Sequence, residues 1–131
     1  FVLSNISSIY EDREGNIWFG SLGDGLVQKS AEKFSFFGTS EGLTDTEIKK
    51  VLAESGKIWV GSESGLGVYN RYTGAYSRFG AQHGFTGSHV SSLAFDSSGR
   101  LWIGTAEKGI YVMDTLKKKF VHFSQQHKLR S

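Results

Sequence analysis

Few side chains in this 131-residue chain have the type and spacing that metal binding or catalysis requires. His83 and His89 flank the segment HGFTGSH, but no third ligand follows at a spacing that suits zinc. Asp12 and Asp96 each begin an Asp-x-x-Gly segment, which supplies too few acids for a calcium loop and is interpreted as a turn. Catalytic and phosphate-binding sequence motifs are also absent. The sequence therefore predicts no catalytic residue, no metal and no cofactor, and a protein that is not an enzyme.

Composition excludes several classes of protein. Cysteine is absent, so disulfides, thiolate metal sites and cysteine nucleophiles are excluded. The net charge of +2 is too weak to indicate nucleic-acid binding, and no apolar run is long enough for direct membrane insertion. The basic run LKKKF at 116–120 is interpreted as a solvated hairpin turn, with phosphate or lipid contact as the alternative. With 17 glycines and 14% aromatic residues, the chain has the composition of a soluble β protein.

An internal repeat organises the chain. Trp18, Trp59 and Trp102 are spaced 41 and 43 residues apart, within GNIWFGS, GKIWVGS and GRLWIGT. This alignment also superimposes three glycines that follow the tryptophans, namely Gly20, Gly61 and Gly104. The repeating units span 1–42, 43–84 and 85–128, and 129–131 begins a further repeat. The repeated tryptophans and glycines are interpreted as structural, packing one unit on the next rather than stacking on a sugar.

Each unit contains four short segments rich in β-branched and aromatic residues, separated by glycine-containing turns. Four antiparallel strands in about 42 residues is the size of a β-propeller blade. Neighbouring apolar residues in these strands, such as Ile9 and Tyr10, point to opposite faces and need cover on both. We therefore predict an all-β fold of three four-stranded antiparallel propeller blades.

The segments EDREGNIWFG (11–20) and DSSGRLWIG (96–104) resemble the two-component regulator propeller repeat. The middle unit departs from that pattern, with Ala53-Glu54 where the first unit has Glu11-Asp12. The resemblance implies a periplasmic sensor region of a bacterial histidine kinase, hybrid two-component protein or diguanylate cyclase. It also implies a signalling output domain outside this chain.

Three blades are too few to close a ring, since propellers close with four to eight. We therefore expect either a fragment of a larger propeller or a half-ring that self-associates head to tail into six blades. The net charges of residues 1–42, 43–84 and 85–131 are −3, +1 and +4, which favours placing the third unit against the first unit of a second copy.

The loops between blades and those between second and third strands lie at one end of a blade, where loops carry function on a repeated scaffold. The residues that we expect to bind ligand there are Asp24, Asp45, Glu47, Glu63, His83, His89, Glu107 and Lys108. The ligand is expected to be a small molecule such as a glycan fragment. The alternatives are a propeller lyase or hydrolase and a purely structural propeller. An enzyme would need several catalytic side chains where the first strand of each blade begins, and the residues there, Asn5, Glu47 and His89, supply few of them.

Overall fold

The computed structural model describes residues 5–31, 33–37, 47–87 and 89–123, which form three separate four-stranded sheets. Blade 1 consists of β1 (Ile6–Glu11), β2 (Ile17–Ser21), β3 (Leu26–Lys29) and β4 (Phe34–Phe37). Blade 2 consists of β5 (Ile48–Glu54), β6 (Lys57–Ser62), β7 (Gly65–Asn70) and β8 (Tyr76–Phe79). Blade 3 consists of β9 (Val90–Phe95), β10 (Arg100–Thr105), β11 (Ile110–Asp114) and β12 (Lys119–Phe123). Strands pair antiparallel in chain order within each blade, which confirms the predicted fold class.

The loops between the strands of one blade are short because each strand forms a hairpin with the next one. The β1–β2 and β3–β4 turns lie at one end of the blade, here called the turn end. The β2–β3 loop and the connection to the next blade lie at the other end, here called the rim end. A three-residue 3-10 helix, Ala81–His83, lies in the connection between blades 2 and 3. The predicted start of a further repeat at 129–131 lies outside the described residues.

The first strand of each blade, here called the inner strand, has a one-residue irregularity in its pairing at the same place. The pairing with the second strand shifts around Ser7 in β1, Lys49 in β5 and Ser91 in β9, just after each strand begins. Such a bulge leaves one residue unpaired and redirects its side chain. The middle blade alone places a charged residue at this position.

The face of each blade that carries the repeated tryptophan is here called its trailing face. The trailing face of blade 1 packs against blade 2, and that of blade 2 packs against blade 3. A Cβ atom on Gly20 would lie 2.6 Å from Ile48 Cγ2 of blade 2, and one on Gly61 would lie 2.6 Å from Val90 Cγ1 of blade 3. Glycine at these positions therefore lets the inner strand of the next blade approach closely. The Trp18 side chain, which is fully buried, fills the space beside this contact.

The two outermost faces of the described structure have no blade against them. On blade 1, Ile9 is 63% exposed on the face opposite Trp18, and Phe36 is 44% exposed on the same face. On blade 3, Val121 is 54% exposed on the trailing face, where Trp102 is only half-buried. The three sheets therefore form an open arc and not a closed ring.

Candidate functional site

Backbone hydrogen bonds join the rim ends of the three blades. Within each blade, a β2–β3 loop amide donates to the carbonyl that precedes the inner strand: Leu22 to Asn5 (2.9 Å), Glu63 to Glu47 (3.3 Å) and Ala106 to His89 (3.1 Å). Between blades, Leu22 forms a β-bridge with Glu47, and the His89 amide donates to the Glu63 carbonyl at 2.9 Å. We call this connected series the axial rim, and its members are Asn5, Leu22, Glu47, Glu63, His89 and Ala106.

The hydroxyl residue after each W-x-G holds the β2–β3 loop in shape. Ser21 Oγ donates to the Gly25 carbonyl at 3.0 Å, and Thr105 Oγ1 donates to the Gly109 carbonyl at 2.8 Å. Ser62 makes the equivalent bond to Gly65 at 3.2 Å. The glycine that closes each loop has a positive φ, which is why this position repeats as glycine. The loops thus hold the rim residues in fixed positions at the ends of rigid strands.

A cluster of polar, titratable side chains lies on the rim between blades 2 and 3. His89 Nε2 lies 3.1 Å from Glu63 Oε1, and Lys49 Nζ lies 3.4 Å from Glu63 Oε2. The three side chains are 36% to 42% exposed, so solvent and solutes reach them. His89 has a φ of 59°, an uncommon backbone conformation for a residue other than glycine. The cluster offers donors and an acceptor to the hydroxyl groups of a ligand.

The other predicted ligand-binding residues within the described ranges lie on the same end but not in this cluster. Asp24 and Lys108 occupy equivalent loop positions, where their amides donate to Ser21 Oγ and Thr105 Oγ1 at 2.8 and 2.9 Å. Glu107 is exposed beside Lys108. Asp45 lies outside the described residues.

The two histidines of the predicted loop have different surroundings. His83 Nδ1 accepts a hydrogen bond from the Gly80 amide at 3.2 Å, and its ring packs edge-on against Phe79 at 5.3 Å. His83 therefore stabilises the outer part of the connection, whereas His89 lies at the inner part beside Glu63. Lys49 was missed in the sequence because its place on the rim depends on the bulge in β5.

Two carboxylates at the turn end stabilise the turns in which they lie. Asp12 Oδ2 accepts from Trp18 Nε1 at 2.8 Å, Asp12 Oδ1 accepts from the Asn16 amide at 2.8 Å, and Arg71 Nη1 of blade 2 lies 3.6 Å away. Asp96 Oδ2 accepts from Trp102 Nε1 at 2.8 Å in the same way. Both lie in tight turns, as the sequence predicted.

The two carboxyl groups titrate below the ordinary range of aspartate. Burial raises the pKa of Asp12, but the hydrogen bonds from Trp18 and Asn16 and the nearby Arg71 outweigh it and hold the pKa below its usual value. The hydrogen bond from Trp102 and those from backbone amides lower the pKa of Asp96 to about 2. Both groups are therefore held as anions that organise the turn and orient the tryptophan, and not as acids or bases for catalysis.

The described ranges contain no group of three His, Asp or Glu side chains placed to hold a metal ion. No helix in those ranges has the length and apolar character needed to cross a membrane.

A family model described as "Two component regulator propeller" matches residues 2–23 and 84–107, in the first and third repeats. Both segments that carry the resemblance in the sequence, 11–20 and 96–104, fall inside these matches. The middle repeat, which departs from the family pattern, is not matched. No curated protein matches the sequence.

Solved structures share the fold at low sequence identity. One is the extracellular domain of a protein assigned as a hybrid two-component system from B. thetaiotaomicron, with TM-score 0.81 and 24% identity over 95% of this chain and 19% of that chain. Another is the extracellular domain of a protein assigned as a one-component system from the same organism, with TM-score 0.77 and 19% identity over 91% of this chain and 18% of that chain. A streptogramin B lyase matches with TM-score 0.70 and 14% identity over 92% of this chain and 41% of that chain. This chain spans about a fifth of the two extracellular domains.

Proposed function

We propose that this chain is part of the extracytoplasmic sensor propeller of a bacterial two-component signalling protein, because its first and third repeats match the two-component regulator propeller model. It binds a small polar ligand, such as a glycan fragment, at the axial rim. The change on binding passes to a kinase or cyclase output domain outside this chain. The extracellular domains among its structural neighbours support a periplasmic location for this segment.

The observation that carries this proposal is the Lys49–Glu63–His89 cluster on the rim. Glu63 belongs to blade 2 and His89 begins blade 3, and the two are joined by both a backbone bond and a side-chain contact. A ligand that contacts both residues therefore bridges two blades. Ligand binding at such a junction changes how the blades are held together, and a sensor requires a coupling of that kind.

A non-catalytic role has support from the same geometry. The three side chains of the cluster are about 40% exposed, so they are not in the water-excluded environment in which enzymes place acids and bases. The fold does not decide this point, because a streptogramin B lyase has the same architecture. A purely structural propeller is the remaining alternative.

The test is a thermal-unfolding screen of the chain against neutral and acidic oligosaccharides, followed by calorimetric titration of any ligand that stabilises it. A ligand at a hundred times its Kd should raise the free energy of unfolding by about 2.7 kcal/mol. His89→Ala and Glu63→Gln should abolish this stabilisation. Glu11→Gln is the matched control, because Glu11 is an exposed acid at the turn end, away from the rim.

Three outcomes would overturn the proposal. The first is stabilisation that survives both rim substitutions, and the second is the absence of stabilisation by any oligosaccharide. The third is product formed from a bound sugar, which would favour the lyase or hydrolase alternative.

A further inference from the structure

A small polar pocket lies between blades 2 and 3 near the turn end, away from the axial rim. Its volume is about 130 Å³, and its lining includes Lys57, Trp59, Asn70 and Ser77 of blade 2 and Lys118 from the β11–β12 turn of blade 3. Two lysines, an indole and a hydroxyl therefore face one cavity. This set of hydrogen-bond donors and positive charges suits a small anion.

The other two blades show which group belongs beside the tryptophan. In blades 1 and 3, the indole N–H donates to the carboxylate of Asp12 or Asp96 at 2.8 Å. At the junction of blades 1 and 2, Arg71, on the β7–β8 turn, approaches that carboxylate from the neighbouring blade. The equivalent turn of blade 3 contributes Lys118 to the pocket beside Trp59.

The middle blade lacks the carboxylate. Its β5–β6 turn is one residue shorter, with Glu54-Ser55-Gly56 in place of Asp96-Ser97-Ser98-Gly99. Glu54 is paired across the hairpin with Lys57, and it is not among the residues that line the pocket. A cation from the neighbouring blade and the tryptophan are thus both present where the chain does not supply the anion. The cation, Lys118, comes from a later position of the turn than Arg71, whose own counterpart in blade 3 is Thr115.

The donors around this pocket are not used by the rest of the described chain. Within the described residues, no acceptor lies within hydrogen-bonding distance of the Trp59 indole N–H, and neither Lys57 nor Lys118 has a carboxylate within 4.0 Å. Every fully buried polar side-chain atom there has a partner, so the free indole N–H is one that solvent still reaches.

We propose that this pocket binds a small carboxylate, which accepts from the Trp59 indole N–H and pairs with Lys57 and Lys118. The bound carboxylate takes the place that Asp12 and Asp96 occupy in the other blades. It would join blade 2 to blade 3 as Asp12 and Arg71 join blade 1 to blade 2. This site is independent of the axial rim, so it stands whether or not the rim binds a glycan.

The experiment is an NMR titration of the ¹⁵N-labelled chain with sodium acetate at constant ionic strength, with sodium chloride as the reference salt. The three indole N–H signals are assigned through the backbone. The Trp59 signal should shift saturably with acetate, whereas the Trp18 and Trp102 signals should not, because each already donates to an aspartate.

Matched lysine variants test the location of the site. Lys57→Met and Lys118→Met should each weaken acetate binding about two- to fivefold, as expected for a partly exposed ion pair. Lys117→Met should not, because Lys117 lies in the same turn but does not line the pocket. Equal weakening by Lys117→Met would overturn the proposal, since general surface charge would then explain the binding.

Two further arms examine the ligand and the chain's own carboxylate. Inorganic phosphate that shifts the Trp59 signal with the same affinity as acetate would overturn the assignment of the site to carboxylates. A Trp59 signal that responds to acetate only in Glu54→Gln would show that Glu54 fills the pocket, and this would also overturn the proposal.

Discussion

Replacing Asp12 by alanine should destabilise the protein more than its place in a surface turn implies. The carboxylate is 5% exposed and holds the turn and the tryptophan of blade 1 together. Trp18 is 0% exposed, and Asn16 is also buried. In the variant, the Trp18 indole N–H and the Asn16 amide both lose their acceptor.

The magnitude follows from these two donors. A buried donor left without a partner costs about 1–3 kcal/mol, so the free energy of unfolding should fall by about 2–6 kcal/mol. That is a large fraction of the 5–15 kcal/mol stability typical of a domain. Asp12→Asn should cost less, because the amide retains one oxygen as an acceptor.

The assay is urea unfolding followed by circular dichroism and tryptophan fluorescence at pH 7, repeated at pH 3. Asp12 carries a lowered pKa in the folded state, so its stabilising effect exists above the ordinary aspartate pKa and is lost as pH falls through the folded value. The difference between wild type and Asp12→Ala should therefore shrink at pH 3. Asp96→Ala is the matched control and should cost less, because Trp102 is only half-buried. A loss below about 1 kcal/mol for Asp12→Ala, or a larger loss for Asp96→Ala, would refute this reasoning.

Three other outcomes are expected. Gly61→Ala should lower the free energy of unfolding by about 1–3 kcal/mol, because the added methyl group collides with blade 3, whereas Gly23→Ala, which has open space around it, should be nearly neutral in the same urea assay. Because the pKa of Asp96 is lowered to about 2, the thermal midpoint should fall as pH drops from about 4 to 2, and Asp96→Asn should remove that part of the pH dependence. We also propose that the two open faces pair head to tail, so light scattering should give twice the 14.5 kDa of one chain. Val121→Lys should weaken this association and Leu116→Lys, in an exposed turn, should not; a monomeric wild type at every concentration would contradict the pairing.

Much of the fold was predictable because a propeller blade is made of consecutive hairpins. Strand pairing in a hairpin depends on residues close in sequence, and glycine turns fix its register. The repeat of W-x-G-[ST] gave the number of blades and the strand order. Glu63 and His89 were predictable as rim residues because loop positions follow directly from strand order.

The contacts of individual side chains were less predictable. Lys49 joins Glu63 because a bulge redirects it, and a bulge leaves little trace in the alternation of residues. His83 and His89 looked like a pair in the sequence. In the structure, His83 stabilises the outer part of the connection between blades, whereas His89 lies on the rim beside Glu63. The aspartate turns were recognised, but not the tryptophans that they hold.

The sequence by itself determined the all-β class, the repeat and the end of each blade that carries variable loops, since all three depend on local periodicity. The tertiary structure decided which groups meet across the junctions between blades. Arg71 approaches Asp12 from another blade. Lys118 of blade 3 lines the same pocket as Trp59 of blade 2, the blade that lacks the aspartate. These contacts join residues far apart in the chain, and they depend on which blade faces come together. Local sequence patterns do not encode that information.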